Sequence, residues 1–226
     1  MKIGIIVAME KELKLLLPLL SERTETTYRG ETFYTGRVNG HEIAVMQCGI
    51  GKVNAGVGTF MLIDGFNPEL IINTGVAGGA DPSIHVMDAV VATRVAYHDV
   101  YCGPEIESGA VQGLVKYFPT VTEDFAKSLE GMEHVHFGLI CSGDQFIDTI
   151  EAVQKIKSDY ADALAVDMES AAIAQVCYKQ HVPFVSLRVI SDSPGASSYD
   201  QAQYYDFWED APRFTFSIVK QLLENA

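Results

Sequence analysis

Short, uninterrupted apolar runs recur along the chain, separated by polar segments that contain glycine. Runs of this kind are typical of β-strands buried on both faces. They predict strands at residues 2–7, 70–74, 88–95, 135–141, 163–166 and 183–190. A hairpin is also predicted, from 33–38 to 42–46, because the Asn39-Gly40 pair between them favours a tight two-residue turn.

Apolar positions with helical spacing lie between several of these strands. Helices are predicted after residues 8–12, weakly at 125–129, and then at 149–160, 170–179 and 204–223. Residues 100–120 are irregular and are predicted to form a long loop. Strands that alternate with helices predict a layered α/β fold, and the hairpin makes the sheet mixed rather than purely parallel. At 226 residues the chain fits one domain, 1–226.

The composition narrows the class of protein. About half of the residues are apolar, and the formal net charge of −14 argues against a surface for nucleic acid or anionic membrane. No apolar stretch is long enough to span a bilayer, and the N-terminus does not resemble a signal peptide. Four scattered cysteines without a CxxC pair indicate reduced thiols and a cytoplasmic location. No residue cluster calls for a metal or an organic cofactor, and His134 and His136 are interpreted as structural.

Three carboxylic acids follow predicted strands, where α/β sheets usually bind their ligands. They are Glu12, Glu169 and Asp192, and the positive end of a helix dipole is expected to keep Glu169 ionised. Each also has an ordinary interpretation. Glu12 and Glu169 could be first-turn acids, while Asp167 and Asp192 could cap a helix or a turn.

A group of acids with an arginine and aromatic side chains suits cleavage of a glycosidic bond. Such reactions pass through an oxocarbenium-like state and need an acid for the leaving group and a base for water. Arg188, Phe146 and Tyr204 supply the other side chains. A purine leaving group must be protonated on a ring nitrogen, which requires a carboxyl kept neutral by burial. Asp192, directly after an apolar run, is the candidate for that acid.

A glycine-rich segment, Gly49-Ile50-Gly51-Lys52-Val53-Asn54-Ala55-Gly56, invites comparison with a dinucleotide-binding fingerprint. It does not match, because Asn54 stands where the third glycine should be. A ligand-facing loop and a plain tight turn both remain open interpretations.

Several segments together resemble one known family. They are Ile3–Glu12, Gly49–Val53, Asn73–Gly79, Tyr97–Asp99, Ser142–Ile147, Asp167–Glu169 and Arg188–Asp192. In order and spacing they are similar to the 5′-methylthioadenosine/S-adenosylhomocysteine nucleosidases of the purine nucleoside phosphorylase superfamily. The resemblance implies a three-layer fold with a mixed, twisted central β-sheet flanked by helices, an adenine nucleoside as substrate, and a homodimer.

The resemblance also assigns roles to individual residues. It implies that Glu12 is the base that positions the attacking water and that Asp192, supported by Ser191, protonates purine N7. Glu169 would take the ribose hydroxyls, Phe146 would stack on the base, and the backbone of Ile147 would read the adenine edge. The full substrate-binding set that it implies is Met9, Ile50, Val76, Phe146, Ile147, Asp167, Met168, Glu169, Arg188, Ser191 and Tyr204.

The chain departs from the family pattern at several points. Val76 stands in place of a serine, Asp167 in place of a glutamate, and Tyr204 in place of a phenylalanine; residues 100–118 diverge and the loop 193–203 is longer. Three alternatives stay open: a nucleoside phosphorylase, a nucleosidase for another adenine nucleoside such as aminofutalosine, and a non-catalytic nucleoside-binding protein. Glu12 argues against the first, since a carboxylate repels phosphate.

Overall fold

The computed structural model describes residues 1–121, 129, 131–194, 207, 218–221 and 223. The strands are β1 (Lys2–Val7), β2 (Ser21–Tyr28), β3 (Glu31–Val38), β4 (His41–Gln47), β5 (Leu70–Gly79), β6 (Ala89–Tyr97), β7 (Tyr117–Pro119), β8 (Val135–Ser142), β9 (Ala163–Asp167) and β10 (Phe184–Asp192). The helices are α1 (Glu10–Leu16), α2 (Lys52–Phe66), α3 (Ile150–Asp159) and α4 (Ser170–Gln180), and a 3₁₀ turn (Leu17–Leu19) follows α1.

All ten strands belong to one mixed sheet, and part of that sheet closes on itself. β10 pairs with β5 and β6, β6 with β8, β8 with β9, and β9 again with β5. β1 extends from β5 in parallel, followed by β4, β3 and the edge strand β2. The closed part brings the ends of strands that are distant in sequence to one place.

The central strands of the sheet, such as β1, β5, β6 and β10, are buried on both faces, as the continuous apolar runs predict. Successive side chains of a strand point to opposite faces. In β1, Ile3 and Ile5 pack into one core with Leu13 and Leu16 of α1, whereas Ile6 packs into the core on the other face. That second core includes residues of α2 and α4. The three-layer α/β fold with a mixed central sheet is therefore confirmed.

Most predicted elements lie where the pattern placed them. The Asn39-Gly40 turn joins β3 to β4 with both residues at positive φ, as its type requires. Thr149 caps α3, its hydroxyl accepting a hydrogen bond from the Ala152 N–H at 3.2 Å. Most of the helix predicted at 125–129 and most of the helix predicted at 204–223 lie outside the described residues.

Three elements were missed by the sequence pattern. The short strand β7 lies within residues 100–120, which were predicted to form a loop. β2 is polar and exposed on both faces, so it has no apolar alternation to reveal it. α2 begins directly after Gly51 and contains three glycines, which interrupt its apolar periodicity. The strand at 70–74 also runs on through the glycines to Gly79, pairing there with Val166 and Ala165 on β9.

Two features are absent from the described part of the chain. Among these residues, no helix is both long enough and apolar enough to cross a membrane. Within the same part of the chain, no group of three or more His, Cys, Asp or Glu is arranged to hold a metal ion. His134 and His136 instead contact the buried Asp88, with nitrogen–oxygen distances of 2.8 and 3.2 Å.

Candidate active site

One pocket gathers residues from the carboxyl ends of β1, β4, β8, β9 and β10 and from the middle of β5. Its lining includes Ala8, Met9, Glu12, Ile50, Val76, Ala77, Gly78, Gln145, Phe146, Ile147, Val166, Asp167, Met168, Glu169, Arg188, Ser191 and Asp192. Glu12 and Asp192, which are 180 positions apart in the sequence, therefore face the same cavity. Ligand sites at strand ends are usual in open α/β sheets.

Glu12 is a buried carboxylate held by backbone donors. It lies in the first turn of α1 and bends back, so that its Oε2 accepts hydrogen bonds from the N–H groups of Ala8 and Met9 at 2.9 and 2.8 Å. Its Oε1 accepts a third from the Val76 N–H at 3.0 Å. Burial raises the pKa of Glu12, and Arg188 and these three N–H groups oppose that rise. A carboxylate so placed is anchored, and its raised pKa makes it a stronger base than a solvent-exposed glutamate.

Arg188, on β10, is a fully buried cation beneath the pocket. Its Nε lies 2.8 Å from Asp167 Oδ2, and its Nη2 lies 3.3 Å from Glu169 Oε2. Nη2 also donates to the side-chain oxygen of Asn73 at 2.8 Å. A buried guanidinium is tolerated only when its donors and charge are matched in this way. The arginine thus fixes the positions of the surrounding acids.

The carboxylate of Asp167 makes contacts to protein groups on several sides. It accepts hydrogen bonds from the hydroxyls of Ser142 and Ser170 and from the N–H groups of Glu169 and Ser170 at the start of α4. It therefore caps the helix, as its ordinary interpretation holds, and also pairs with Arg188. Asp167 lines the pocket, but its side chain is almost completely buried.

Glu169 sits between β9 and α4 with its carboxylate facing the pocket. Its Oε1 accepts a hydrogen bond from the Gly51 N–H at 3.0 Å. Burial raises the pKa of Glu169 to about 7, although Arg188 acts against that rise. Burial is the largest influence on this pKa and exceeds the lowering effects of Arg188 and the Gly51 N–H.

Asp192 ends β10 in a different environment. Its Oδ1 accepts a hydrogen bond from the Ser191 hydroxyl at 2.7 Å. Its Oδ2 is buried and has no hydrogen-bond partner among the described residues. Burial raises the pKa of Asp192 to about 6, against the lowering effect of the Ser191 hydroxyl. A carboxyl with one unsatisfied oxygen at a pocket wall is suited to hold a proton and pass it to a ligand.

The remaining predicted residues form the other walls. Phe146 is exposed at the rim and Ile147 is buried behind it, both on the loop after β8. Met9, Ile50, Val76 and Met168 add apolar surface. Tyr204 lies outside the described residues. The apolar Val76 side chain leaves a backbone N–H, rather than a hydroxyl, next to Glu12.

Sequence reasoning missed the polar groups beneath the pocket. Asn73 is buried within β5, where its Oδ1 accepts hydrogen bonds from Arg188 and from Ser170. Ser186, also buried, contacts Ser170 at 2.9 Å. The sequence did carry a signal for these groups, because Asn73 and Ser186 are polar residues inside otherwise apolar runs. A buried polar group needs a hydrogen-bond partner.

The arrangement pairs acids of different character around one cavity. Glu12 accepts hydrogen bonds from three donors that favour its anion, while one oxygen of Asp192 has no partner in the described part of the chain, which favours its protonated form. Pairs of titratable groups in contrasting environments are the usual basis for assigning a general base and a general acid. The buried acids outnumber Arg188, so the site favours positive charge that develops on a bound ligand.

Comparison with known proteins gives the family. The model of the phosphorylase superfamily matches residues 2–224. A 5′-methylthioadenosine/S-adenosylhomocysteine nucleosidase of Staphylococcus aureus is 41% identical over 231 residues, covering 99% of both chains. The S. pneumoniae nucleosidase, solved with the transition-state inhibitor MT-ImmA, has a TM-score of 0.92 at 33% identity, with 99% of both chains covered. Futalosine hydrolase of Helicobacter pylori has a TM-score of 0.90 at 28% identity, covering 100% of this chain and 98% of its own. The chain therefore belongs to the phosphorylase superfamily and, within it, to the 5′-methylthioadenosine/S-adenosylhomocysteine nucleosidases.

Proposed function

We propose that this protein hydrolyses the N-glycosidic bond of 5′-methylthioadenosine and S-adenosylhomocysteine, releasing adenine and the 5-thioribose product. The named activity of full-length relatives supports the reaction. One observation carries its assignment to this site: Glu12 and Asp192 line a single pocket, where three backbone N–H groups donate to Glu12 and one oxygen of Asp192 has no partner among the described residues. Hydrolysis of a glycosidic bond needs such a base and acid on either side of the bond.

The base in this mechanism is Glu12. Its carboxylate accepts a proton from the attacking water as the water oxygen bonds to the anomeric carbon. The three backbone N–H groups keep the carboxylate fixed while it takes up that proton. A positioned general base contributes about 10²–10⁴-fold to such a rate.

The acid is Asp192. It donates its proton to purine N7, so that the electrons of the breaking bond go to a neutral adenine. Its Oδ2, which has no partner within the described ranges, is the oxygen that would carry the proton, because Oδ1 already accepts a hydrogen bond from the Ser191 hydroxyl. The proton gained by Glu12 and the one lost by Asp192 are then re-equilibrated with solvent.

The other pocket residues bind and orient the nucleoside. Glu169 accepts hydrogen bonds from the ribose hydroxyls and stabilises positive charge on the sugar, together with Met168. Phe146 stacks on the adenine and Ile147 reads its edge. Asp167 acts on the substrate through Arg188 and Ser170, which its carboxylate holds in place.

Water rather than phosphate is the nucleophile that suits this site. Glu12, Asp167 and Glu169 surround a single buried Arg188. A phosphate charge about 4 Å from the Glu12 carboxylate would cost about 4 kcal/mol at an effective dielectric of about 20. A neutral water avoids that cost and gains a base.

The experiment is an assay of the purified protein with 5′-methylthioadenosine, with and without inorganic phosphate. Adenine and methylthioribose should appear at the same rate in both, as measured by absorbance and mass spectrometry. Methylthioribose 1-phosphate formed only with phosphate would establish a phosphorylase instead. Binding without turnover would establish a nucleoside-binding protein.

One similar solved structure favours a second class of substrate. The fold of futalosine hydrolase of Helicobacter pylori matches this chain along its whole length. The same assay with aminofutalosine gives the ratio of kcat/KM for the two nucleosides. A ratio that favours aminofutalosine would make it the preferred substrate. The proposed roles of the base and the acid would stay the same.

The acting form is proposed to be a homodimer of single-domain chains in the cytoplasm. Val53, Val57 and Phe60 are exposed along one side of α2, an apolar surface suited to contact with a second copy. The four unpaired cysteines fit a reducing compartment.

A further inference from the structure

A second charged cluster lies beside the pocket and makes no contribution to the chemistry described above. It consists of Lys52, Asp99 and Asp144, and we call it the rim cluster. The Lys52 Nζ donates to both carboxylate oxygens of Asp99, at 2.9 and 2.7 Å. Its backbone N–H donates to Asp144 Oδ1 at 2.8 Å, and the Asp144 N–H donates to Asp99 Oδ2 at 2.9 Å. The hydrogen bonds therefore link all three residues in a closed loop.

The rim cluster joins three separate parts of the chain. Lys52 is the first residue of α2, Asp99 follows β6, and Asp144 belongs to the loop after β8. The loop after β4 and the loop after β8 approach closely, since a Cβ at Gly51 would lie 3.0 Å from Asp144 Oδ1. The contacts therefore bridge segments that β-sheet pairing alone does not hold at this point.

Both loops tied by the rim cluster also form walls of the pocket. On one side, Ile50 lines the pocket and the Gly51 N–H bonds to Glu169 Oε1. On the other, Phe146 and Ile147 follow Asp144 within three residues and line the pocket as well. In the proposed function, the first wall contacts the sugar of the nucleoside and the second contacts its adenine.

The cluster is better suited to fix geometry than an ordinary surface ion pair. Exposed pairs contribute little to stability because solvent screens them. Here the side chains of Lys52 and Asp99 are only 24% and 17% exposed. The pKa of Asp99 lies below its usual range despite the opposing effect of burial, because Lys52 and the Asp144 N–H stabilise its anion. The Lys52 ammonium also lies 5.4 Å from the centre of the Tyr97 ring.

We propose that Lys52 is a positioning residue that, with Asp99 and Asp144, holds the loop after β4 and the loop after β8 at a fixed spacing across the nucleoside pocket. The inference rests on the proposed function for its consequence in turnover. Without the ammonium, only the two backbone hydrogen bonds of the cluster remain, and the Gly51 N–H and the Phe146–Ile147 wall are held less tightly relative to each other. The nucleoside then loses the simultaneous alignment of its sugar and its base.

The test uses Lys52→Met, which keeps the length of the side chain and removes its charge. Its kcat/KM for 5′-methylthioadenosine is expected to fall about 10- to 100-fold, since small misplacements of a bound substrate have effects of that size. Most of the loss should appear in KM, because both walls contact the ground-state nucleoside. Lys52→Arg should restore most of the activity, since a guanidinium can bond to both Asp99 oxygens.

Lys157→Met is the matched control. Lys157 forms a comparable ion pair with Asp81, with side chains 22% and 28% exposed, away from the pocket. The control should lose thermal stability as Lys52→Met does while its kcat/KM stays within about twofold of the wild type. An equal loss of activity in both variants, or normal activity in Lys52→Met, would overturn the proposal.

Hydrogen exchange of the ligand-free protein separates this inference from the proposed function. Amides at residues 49–51 and 143–147 should exchange faster in Lys52→Met and at the wild-type rate in Lys157→Met. Unchanged exchange in both loops of Lys52→Met would show that Lys52 does not hold them together. A wild-type protein that releases no adenine would instead refute the proposed function, and the exchange data would still decide whether Lys52 holds the loops.

Discussion

At the scale of single residues, Asp192 gives the sharpest expectation for activity. Asp192→Asn preserves the shape of the side chain and the contact with Ser191 but cannot donate a proton to N7. We expect kcat to fall by about 10²–10⁴-fold, the contribution of a general acid. The affinity for 5′-methylthioadenosine, measured by calorimetry, should remain within a few-fold of the wild type. Turnover near the wild-type rate would remove Asp192 from its proposed role.

The same variant should also change stability, with a definite dependence on pH. Burial raises the pKa of Asp192 from 3.8 to about 6 in the folded protein. Between pH 3.8 and about pH 6, Asp192 is protonated in the folded state and ionised in the unfolded chain. This group therefore makes the protein less stable as pH rises through that range. A shift of about two units corresponds to about 3 kcal/mol, as an upper limit.

Asp192→Asn cannot ionise and so avoids this loss of stability. We expect its free energy of unfolding to exceed that of the wild type by about 1–3 kcal/mol at pH 8. The difference should shrink towards pH 5 and vanish below pH 4. Urea unfolding at pH 5 and pH 8 measures it, and a difference independent of pH would contradict the assigned ionisation.

Residue-level prediction from sequence has a clear limit in this site. The positions of Glu12, Glu169 and Asp192 after strands could be predicted, because strand ends meet at one edge of the sheet. The ionisation of Glu169 could not, since its pKa depends on burial by residues far away in the sequence. Asp167 likewise contacts Arg188 and Ser142, which local spacing does not bring together.

At the scale of elements, β5 must pass close to the catalytic candidates. A Cβ at Gly75 would lie 2.6 Å from Arg188 Nη1 and closer still to Glu12 Oε1. Neither group can move easily, because both are held by other hydrogen bonds. Gly75→Ala should therefore lower kcat/KM at least about 10-fold, as misplaced catalytic groups do, and destabilise the fold by about 1–3 kcal/mol.

Gly56→Ala provides the comparison for this variant. A Cβ at Gly56, in α2, would meet Val176 Cγ2 at an ordinary 3.8 Å. Alanine is also favoured over glycine within a helix by about 0.5–1 kcal/mol. The control should keep its activity and gain slightly in melting temperature. If Gly75→Ala behaves as Gly56→Ala does, the close approach of β5 to Glu12 and Arg188 is not required for activity.

The elements also show which parts of a fold a sequence pattern can reveal. β1 was predicted because its run from Ile3 to Val7 is buried on both faces and carries no polar side chain. β4 was predicted from the Asn39-Gly40 turn that joins it to β3. β2 lies at the edge of the sheet and is exposed on both faces, so polar residues with β propensity suffice there. α2 was hidden because its glycines serve close packing, as at Gly58, where a Cβ would lie 2.6 Å from the Cys48 Cβ.

At the scale of the whole molecule, the exposed apolar side of α2 bears on how the chain associates. Val53, Val57 and Phe60 are spaced by four and three residues and so share one face of the helix. All three are exposed, Val53 to 75%. Contiguous apolar surface of this kind usually marks a contact between proteins. Ile50, which lines the pocket, is exposed three residues earlier, so association here would also shield the pocket mouth from solvent.

Val57→Asp should therefore convert a dimer into a monomer of 24.7 kDa. The reason is that an aspartate at the centre of the contact must be desolvated without a partner. Light scattering coupled to gel filtration measures the mass. Because the chain carries a net charge of −14, an added negative charge could also act by general repulsion. Val57→Lys lowers the net charge and removes that explanation, so both variants should be monomeric if apolar contact on α2 holds the dimer. A wild-type protein that is already monomeric, or a dimer that survives both substitutions, would place the association elsewhere or exclude it.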